Sequence, residues 1–246
     1  MPIAGNKYLC GVGNTYFQFK QFTVHQDRCA MKVCTDSCLF GAWIPLDSGP
    51  TNILDIGTGT GLLSLMLAQR SNAAIDAIEL EEAAALQAKE NIASSPWHDS
   101  IRVHHEDILA FTTPKLYDLI VSNPPFYEQS VLSEDSDEQS AKHATTLTLD
   151  ALLNKSAQLL HPEGKLAILL PYFRMQELID NARQHHLYPE RVMKVQPTPK
   201  HAFFRCMILF GRNAIEMRTE ELIIKDNDQQ YSAASSALLR PFYLHL

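Results

Sequence analysis

The chain has no run of about 20 apolar residues, the length that a helix needs to cross a bilayer. Its amino terminus also lacks a basic start followed by an apolar stretch, so no secretion signal is indicated. Five cysteines lie in 246 residues without a CxxC pair, and this odd set favours neither a disulfide framework nor a zinc site. We therefore expect a cytoplasmic protein with reduced thiols, no membrane contact and no metal.

An excess of positive charge is also missing. The formal net charge is −7, whereas a surface that binds nucleic acid without selectivity needs clustered cations. The charge is uneven, however, because residues 180–212 are locally basic. Their cations are Arg183, Arg191, Lys194, Lys200, Arg205 and Arg212, against the carboxylates Asp180 and Glu190. Two interpretations stay open: a local basic face on an acidic body, or a solvated surface of mixed charge.

Strand and helix patterns alternate from about residue 52, which is typical of a parallel sheet with helices on both faces. Five strands are predicted at 52–56, 75–79, 101–104, 116–122 and 165–170, with helices at 62–70, 81–94 and 151–160. Two further strands, at 191–195 and 205–210, are separated by a loop too short for a helical crossover, so we expect an antiparallel pair. The predicted fold class is α/β: a seven-stranded, mostly parallel Rossmann-like sheet with an antiparallel final strand pair.

Two regions fall outside this alternation. Residues 16–24 alternate aromatic and polar side chains, which favours a strand or hairpin against the main sheet. Residues 128–141 are acidic, rich in serine and poor in apolar side chains, so we expect a mobile loop beside the site.

A glycine loop at residues 55–61, DIGTGTG, lies between the first strand and a helix. Gly57, Gly59 and Gly61 carry no side chain that would obstruct a ligand from approaching the backbone. The pattern alone is weak, because dinucleotide enzymes place a pyrophosphate on a related loop. Asp55, which opens the loop, favours a cationic methionine portion and repels a diphosphate. We therefore expect S-adenosylmethionine as the cofactor.

Two further carboxylates follow the next strands. Glu79 lies 22 residues after Gly57, at the end of the second strand, where a carboxylate can accept from both ribose hydroxyls. The alternative for Glu79 is a solvated helix start. Asp107, after the third strand, can accept from the adenine amino group or can cap a helix that begins at Ile108.

The segment Asn123-Pro124-Pro125-Phe126 directly follows the fourth strand. The Asn123 side-chain oxygen and the Pro124 carbonyl can each accept one N–H of a planar amine and aim its lone pair at a sulfonium methyl. The prolines fix the backbone, and Phe126 with Tyr127 can stack on a flat substrate. A Pro-Pro turn is also common in plain loops. Its place beside the glycine loop, where carboxyl ends of parallel strands meet, favours a catalytic site.

Together these motifs resemble the class I methyltransferases of the N6-adenine type, and more narrowly the bacterial tRNA1(Val) adenine N6-methyltransferase family. The narrower resemblance covers nearly the whole chain. It rests on residues 19–24, 27–33, 35–36, 41–43, 54–61, 122–126, 145–147, 228–232 and 242–244. The first and last of these segments are not general cofactor motifs, which makes the resemblance specific. The chain departs from the family at Phe126-Tyr127, where Tyr-Phe is expected, and at Cys34, where a small residue is expected.

The resemblance implies an enzyme that methylates the exocyclic N6 amine of adenine 37, just 3′ of the anticodon, in one valine tRNA. It implies one domain over residues 1–246, with residues 1–45 as a hairpin and cap over the cofactor and 46–246 as the core. Its partner is tRNA, and we expect a monomer.

The resemblance also assigns residues to the site. Lys32, Thr35 and Asp36 would close over the methionine end of the cofactor, and residues 123–126 would hold the adenine, with Tyr127 beside it. The cations that would face the tRNA add salt-dependent affinity without sequence choice. They are Arg183, Arg191, Lys194, Lys200 and Arg205.

Other functions stay open at this point. A methyltransferase of the same fold could act on DNA adenine, on a guanine N2 of ribosomal RNA or on a protein glutamine, since residues 123–126 fit all of these amines. A nicotinamide-binding oxidoreductase is disfavoured by Asp55 and by the Asn-Pro-Pro-Phe segment. A non-catalytic RNA-binding module is disfavoured by the net charge and by the complete cofactor loop.

Overall fold

The computed structural model describes residues 14–124 and 147–246. These residues form a two-stranded antiparallel sheet and an eight-stranded sheet flanked by helices. The strands are β1 Tyr16–Gln18, β2 Thr23–His25, β3 Asn52–Ile56, β4 Ala74–Glu79, β5 Ile101–His105, β6 Tyr117–Ser122, β7 Leu160–Pro171, β8 Tyr188–Gln196, β9 Arg205–Gly211 and β10 Arg218–Ile223. The helices are α1 Thr35–Trp43, α2 Leu62–Ala68, α3 Glu82–Ala93, α4 Leu149–Leu159, α5 Met175–Gln184 and α6 Ala233–Leu239. Within the described ranges, no helix is long and apolar enough to span a bilayer.

The large sheet has the order β10-β8-β9-β7-β6-β3-β4-β5. Only β9 among these strands runs antiparallel, pairing with β7 on one side and β8 on the other. The predicted fold class, mostly parallel with an antiparallel final pair, is confirmed. The sheet has eight strands instead of the predicted seven, because β10 adds to the edge in parallel with β8.

The central strands are buried on both faces, which explains their nearly continuous apolar sequences. One face packs against α1, α2, α3 and α6 through side chains such as Phe40, Met66 and Leu239. The other packs against α4 and α5 through Leu153 and Leu178. Two layers of helices thus hold the sheet rigid, and its strand ends can position a site.

The strand order reverses direction at β3. The strands β4 and β5 extend one side, and β6 and β7 extend the other, so the carboxyl ends of β3 and β6 flank a topological switch point. The Ser122 hydroxyl, at the end of β6, donates to the Ile56 carbonyl at the end of β3 over 2.8 Å. The two strand ends that carry the candidate motifs are therefore fixed to each other.

The predicted hairpin at residues 16–24 is confirmed as β1 and β2. It packs beside the large sheet on the face that holds α3, and Phe19 forms a bridge with Tyr243 of the carboxyl-terminal segment. The loop predicted at residues 128–141 lies outside the described residues.

Candidate active site

The glycine loop after β3 has the geometry that its sequence requires. Gly57, Gly59 and Gly61 have φ angles of 72°, 57° and 83°, a region that side chains disfavour. The N–H groups of Gly57 and Thr58 donate to the Ile78 carbonyl at 2.9 and 3.0 Å, which fixes the loop on β4. No atom lies within 4 Å of the position that a Cβ on Gly57 or Gly59 would occupy. The loop therefore presents an open backbone surface to a ligand.

Asp55 organises this loop from beneath. It is fully buried, and its Oδ2 accepts from the Thr58 hydroxyl at 2.6 Å and from the Ser64 hydroxyl at 2.7 Å. Burial raises the pKa of Asp55 to about 6, although the hydrogen bonds from Thr58 and Ser64 oppose the shift. Its Oδ1 has no hydrogen-bond partner in the described part of the chain. Direct contact between Asp55 and the cofactor stays a prediction.

Glu79 and Asp107 lie at the same edge, after β4 and β5. Glu79 Oε2 accepts from the Gly59 N–H at 2.8 Å, and its Oε1 accepts from the Glu81 N–H at 3.0 Å. A carboxylate oxygen has two lone pairs, so each oxygen retains one for a ribose hydroxyl. Asp107 Oδ1 accepts from the Leu109 N–H at 2.9 Å within a turn, and no helix begins at Ile108. The roles of both carboxylates in cofactor binding stay predictions.

Asn123 and Pro124 follow β6 at the carboxyl edge, next to the glycine loop. The Asn123 Nδ2 donates to the Ser37 hydroxyl at 3.1 Å and to the Met31 sulfur at 3.6 Å. Within the described ranges no donor is bonded to its Oδ1, so that oxygen is available to accept from a substrate. Three further predicted site residues, Pro125, Phe126 and Tyr127, lie outside the described residues.

The predicted cap residues lie on and before α1. The Lys32 Nζ donates to the Gln26 carbonyl, and Tyr243 is hydrogen-bonded to Thr35 and Cys38. Asp36 is buried, and its Oδ2 accepts from the Arg205 Nε at 2.9 Å. The other Asp36 oxygen is buried without a partner among the described residues. Among these residues Asp36 contacts β9 through Arg205, whereas Lys32 and Thr35 contact Gln26 and Tyr243. Their contact with a cofactor stays a prediction.

Three polar residues of this region were not identified from the sequence. Ser37 binds the Asn123 amide, as described above. Asn91 of α3 joins β2 to the glycine loop: it exchanges two hydrogen bonds of 2.8 Å with the His25 backbone and donates to the Thr60 carbonyl at 2.9 Å. Gln87, one turn earlier, accepts from the Arg28 N–H at 3.1 Å. The sequence does carry a signal for the contacts of Gln87 and Asn91. Both are polar residues on the core-facing side of an otherwise Ala-rich helix.

The predicted tRNA-facing cations differ in whether they already contact a carboxylate or an aromatic ring of the protein. Arg191 lies over the Trp43 ring at 5.3 Å and donates to Glu220, whereas Arg205 pairs with Asp36. Arg183 pairs with Asp180 on α5. Lys194 lies 5.6 Å from the Phe203 ring centre, and Lys200 is exposed. Their role in RNA binding stays a prediction.

S-adenosylmethionine fits the residues at this edge. The loop offers an open backbone at Gly57 and Gly59, and Glu79, which is bonded to the Gly59 N–H, is the predicted acceptor for the ribose hydroxyls. Asp55 forms no ion pair among the described residues and has one unpartnered buried oxygen, a combination that is suited to a cation because a buried carboxylate is costly without one. No group of three or more metal-ligating side chains is assembled among residues 14–124 and 147–246.

Comparison with known proteins agrees with this geometry. A family model described as the methyltransferase small domain matches residues 44–186. A crystal structure from Agrobacterium tumefaciens, titled a predicted O-methyltransferase, superimposes with a TM-score of 0.64 at 16% identity, covering 84% of this chain and 96% of that chain. The fold and the site define a Rossmann-like methyltransferase that uses S-adenosylmethionine.

Two relatives extend the similarity to nearly the full chain, and both are named tRNA1(Val) (adenine(37)-N6)-methyltransferase. The one from Bacteroides thetaiotaomicron is 45% identical over 237 residues, 96% of this chain and 100% of its own. The one from Pectobacterium carotovorum is 43% identical over 234 residues, 94% of each chain. The chain belongs to the family of tRNA1(Val) (adenine(37)-N6)-methyltransferases.

Proposed function

We propose that this protein transfers the methyl group of S-adenosylmethionine to the exocyclic N6 amine of adenine 37 in tRNA1(Val). The observation that carries the proposal is the placement of Asn123 and Pro124 at the carboxyl end of β6, fixed beside the glycine loop of β3. Membership of the family supports the choice of substrate. DNA adenine, guanine N2 and protein glutamine are the alternatives that the same segment would accept.

The chemistry needs little beyond positioning. When bound, S-adenosylmethionine supplies an electrophilic methyl group on a sulfonium. The adenine amine is a poor nucleophile because its lone pair is delocalised into the ring. The Asn123 Oδ1 and the Pro124 carbonyl each accept one of its N–H bonds, so the nitrogen becomes pyramidal and its lone pair points away from them. The protein contributes preorganised acceptors and orientation.

Proton removal does not require a strong base. Once methylated, the amine nitrogen carries a positive charge and becomes very acidic, so it loses a proton readily to water near Asn123. Histidine is accordingly not assigned a catalytic role. Phe126 and Tyr127 supply aromatic rings that stack on the adenine once it is unstacked from the adjacent bases of the RNA loop.

We also propose how the chain is divided around this site. Residues 1–45 act as a hairpin and cap over the cofactor, and residues 46–246 form the core of a single domain. The contacts of Asn91 with β2 and with the glycine loop support this arrangement, since they connect the cap to the cofactor loop. The protein acts as a monomer in the cytoplasm without a metal.

The experiment that tests the function uses purified protein, labelled S-adenosylmethionine and total tRNA, followed by digestion to nucleosides. The expected product is N6-methyladenosine. Label in N2-methylguanosine, or in protein alone, would reject the proposal. Oligonucleotide DNA containing unmodified adenine is the matched competitor and should accept no label.

The Asn123→Ala variant tests the mechanism. Removing a preorganised polar group from a transition state costs on the order of 2 to 4 kcal/mol, so kcat should fall roughly 30- to 1000-fold while S-adenosylmethionine still binds. Calorimetry with the cofactor analogue S-adenosylhomocysteine provides the control for folding. Methylation at the wild-type rate would show that Asn123 does not hold the amine.

A further inference from the structure

A cluster of aromatic rings and lysines lies at the carboxyl edge of the sheet, and within it Phe173 and Lys200 are exposed while the others are half-buried. It consists of Tyr172 and Phe173 after β7, Phe203 before β9, Lys194 near the end of β8, and Lys200; we call it the aromatic patch. Phe173 is 74% exposed, the highest value among the large hydrophobic side chains of the described residues. Tyr172 and Phe203 contact each other with ring centres 5.2 Å apart.

The register of the sheet places this patch beside Asn123. Ser122 is level with Ile168, and Leu170 is level with Cys206. Asn123 is thus level with Leu169 of the adjacent strand. Tyr172 lies three residues beyond Leu169, which is about 10 Å along the strand at about 3.3 Å per residue. The N–H of Tyr172 donates to the Phe204 carbonyl at 3.1 Å, which anchors this turn to the loop before β9. The distance matches one or two nucleotides of an extended RNA strand.

The charge around the patch favours a polyanion. Lys194 and Lys200 form no ion pair with any described residue, and the loop at 197–204 contains no acidic side chain. The nearby carboxylate of Glu177 is compensated, because Arg174 donates to its two oxygens at 2.9 and 2.7 Å. Lys194 lies 5.6 Å from the Phe203 ring centre, so a cation and a ring share one surface. Glu221 of β10 is level with Lys194. Among these described side chains the cations Lys194, Lys200 and Arg174 therefore exceed the carboxylates Glu177 and Glu221 by one.

A protein partner fits these features less well than RNA does. Phe173 is the one aromatic ring of the patch that is mostly exposed, because Tyr172 and Phe203 are half-buried against each other. A hydrophobic docking site needs a wider apolar area than one such ring. An exposed ring at the same edge of the sheet as lysines that have no ion pair among the described residues is the combination with which proteins hold an unpaired base and its phosphate.

We propose that the aromatic patch is a second base-binding subsite, in which Phe173 stacks on an unpaired nucleobase that neighbours the target adenine, and Lys194 and Lys200 contact its phosphates. This inference rests on the proposed function, because it assumes a single-stranded RNA loop whose target base is held at Asn123. In this proposal Phe173 selects RNA substrates whose loop bases are unstacked. Phe173 acts in binding and does not touch the reacting atoms.

The test compares steady-state kinetics of Phe173→Ala, Phe173→Leu and Phe173→Trp on full-length tRNA. The alanine and leucine variants should raise KM for tRNA roughly 5- to 100-fold, the range for loss of one stacked base. Their kcat at saturating tRNA and their affinity for S-adenosylhomocysteine should stay near wild type. The tryptophan variant should keep a low KM because it retains a ring. The matched control is Leu86→Ala, which removes an exposed apolar side chain from α3 and should change nothing.

A second arm identifies the stacked base. Anticodon stem-loop RNAs with an abasic nucleotide at either neighbour of the target adenine are assayed with wild type and Phe173→Ala. At the position that stacks, the abasic substitution should abolish the difference between the two proteins. An unchanged KM for Phe173→Ala, or a leucine variant as good as tryptophan, overturns the subsite. The subsite is also overturned if the wild-type protein self-associates with rising concentration and Phe173→Ala removes this association. The aromatic patch would then be a protein interface.

The two proposals fail separately. If wild type forms no N6-methyladenosine on tRNA, the proposed function is rejected, whatever Phe173 does. If wild type is active and Phe173→Ala binds tRNA equally well, only the subsite is rejected.

Discussion

At the residue scale, the orientation of one amide decides whether the candidate site can hold an amine. Asn123 has an oxygen that accepts and a nitrogen that donates, and only the oxygen suits an N–H donor. The Ser37 hydroxyl takes one hydrogen of Nδ2 at 3.1 Å, and the Met31 sulfur lies 3.6 Å from the same nitrogen. We therefore predict that Ser37 is a positioning residue, because its hydrogen bond with Nδ2 would leave Oδ1 for the substrate amine.

The Ser37→Ala variant should lower kcat roughly 5- to 10-fold with little change in KM for tRNA, because one hydrogen bond of about 1 kcal/mol is lost. Ser37→Thr, which keeps the hydroxyl, should restore most of the rate. In the Asn123→Ala background, Ser37→Ala should have no further effect, since the amide that it orients is gone. Equal losses in both backgrounds would assign Ser37 a purely structural role. Ser94→Ala, at an exposed helix end, is the control.

The buried carboxylate of Asp55 predicts an unusual dependence of stability on pH. Burial raises its pKa to about 6 in the folded protein from 3.8, so the folded state binds more protons than the unfolded state between these values. The stabilising contribution is present below about pH 4 and is lost as the pH rises through about 6. In Asp55→Asn this loss, up to about 3 kcal/mol, should disappear.

Urea unfolding of wild type and Asp55→Asn at a series of pH values from 4 to 7 measures this contribution. The difference in unfolding free energy between the two proteins should change across that window. Asp99→Asn, whose side chain is 94% exposed, controls for the change in net charge. Parallel curves for wild type and Asp55→Asn would show that Asp55 is not perturbed by burial.

At the scale of the elements, helix α3 connects the amino-terminal hairpin to the cofactor loop. Asn91 is 1% exposed and makes three hydrogen bonds, two with the His25 backbone in β2 and one with the Thr60 carbonyl between Gly59 and Gly61. No other single side chain described above joins both segments. A change at Asn91 should therefore affect stability and cofactor binding together.

The Asn91→Ala variant should lower the unfolding free energy by roughly 2 to 4 kcal/mol, because three hydrogen bonds to the His25 and Thr60 backbone are lost. Its affinity for S-adenosylhomocysteine should fall several-fold, since the glycine loop loses a support. Urea unfolding and calorimetry measure the two effects. Gln158→Ala, an exposed amide on α4, is the control. A destabilised variant with unchanged affinity would limit Asn91 to a structural role.

The alternating core of the sheet was predictable because its elements have simple patterns. The strands β3, β4 and β6 and the second half of β7 are apolar runs, and helices follow β3 and β4. The pair β8 and β9 follows from a loop too short for a crossover. Helix α1 was not predicted because residues 36–43 are all buried, so the helix has no polar face and no amphipathic period. Strand β10 was missed because Arg218, Glu220 and Glu221 give it the sequence of a solvated edge. Helix α5 has an ordinary amphipathic pattern, with Leu178, Ile179 and Ala182 buried, and could have been predicted.

Site residues that belong to a local sequence motif could be predicted. Site residues that are positioned by contacts between distant parts of the chain could not. The glycine loop and Asn123 belong to contiguous segments at strand ends. The contacts Arg205 to Asp36 and Ser37 to Asn123 join residues 169 and 86 positions apart, and no spacing rule relates them. The orientation of the Asn123 amide therefore emerged only from the folded structure.

At the scale of the whole molecule, an acidic protein has to bind a polyanion. The net charge of −7 reduces non-specific binding to nucleic acid. Lys194 and Lys200, without ion pairs among the described residues, and the ring of Phe173 concentrate favourable contacts at the carboxyl edge, beside Asn123. Under the proposed base-binding subsite, selection of RNA depends on the same edge of the sheet at which the target base is proposed to react.

The most direct measurement replaces the target base in a tRNA1(Val) transcript. Methyl incorporation is followed by nuclease digestion and mass mapping, on a transcript with adenine at position 37 and on one with purine riboside, which lacks the exocyclic amine. The account predicts one methyl group at the N6 of adenine 37 and none on the purine transcript. Methylation of the purine transcript, or of adenine at another position, would contradict it.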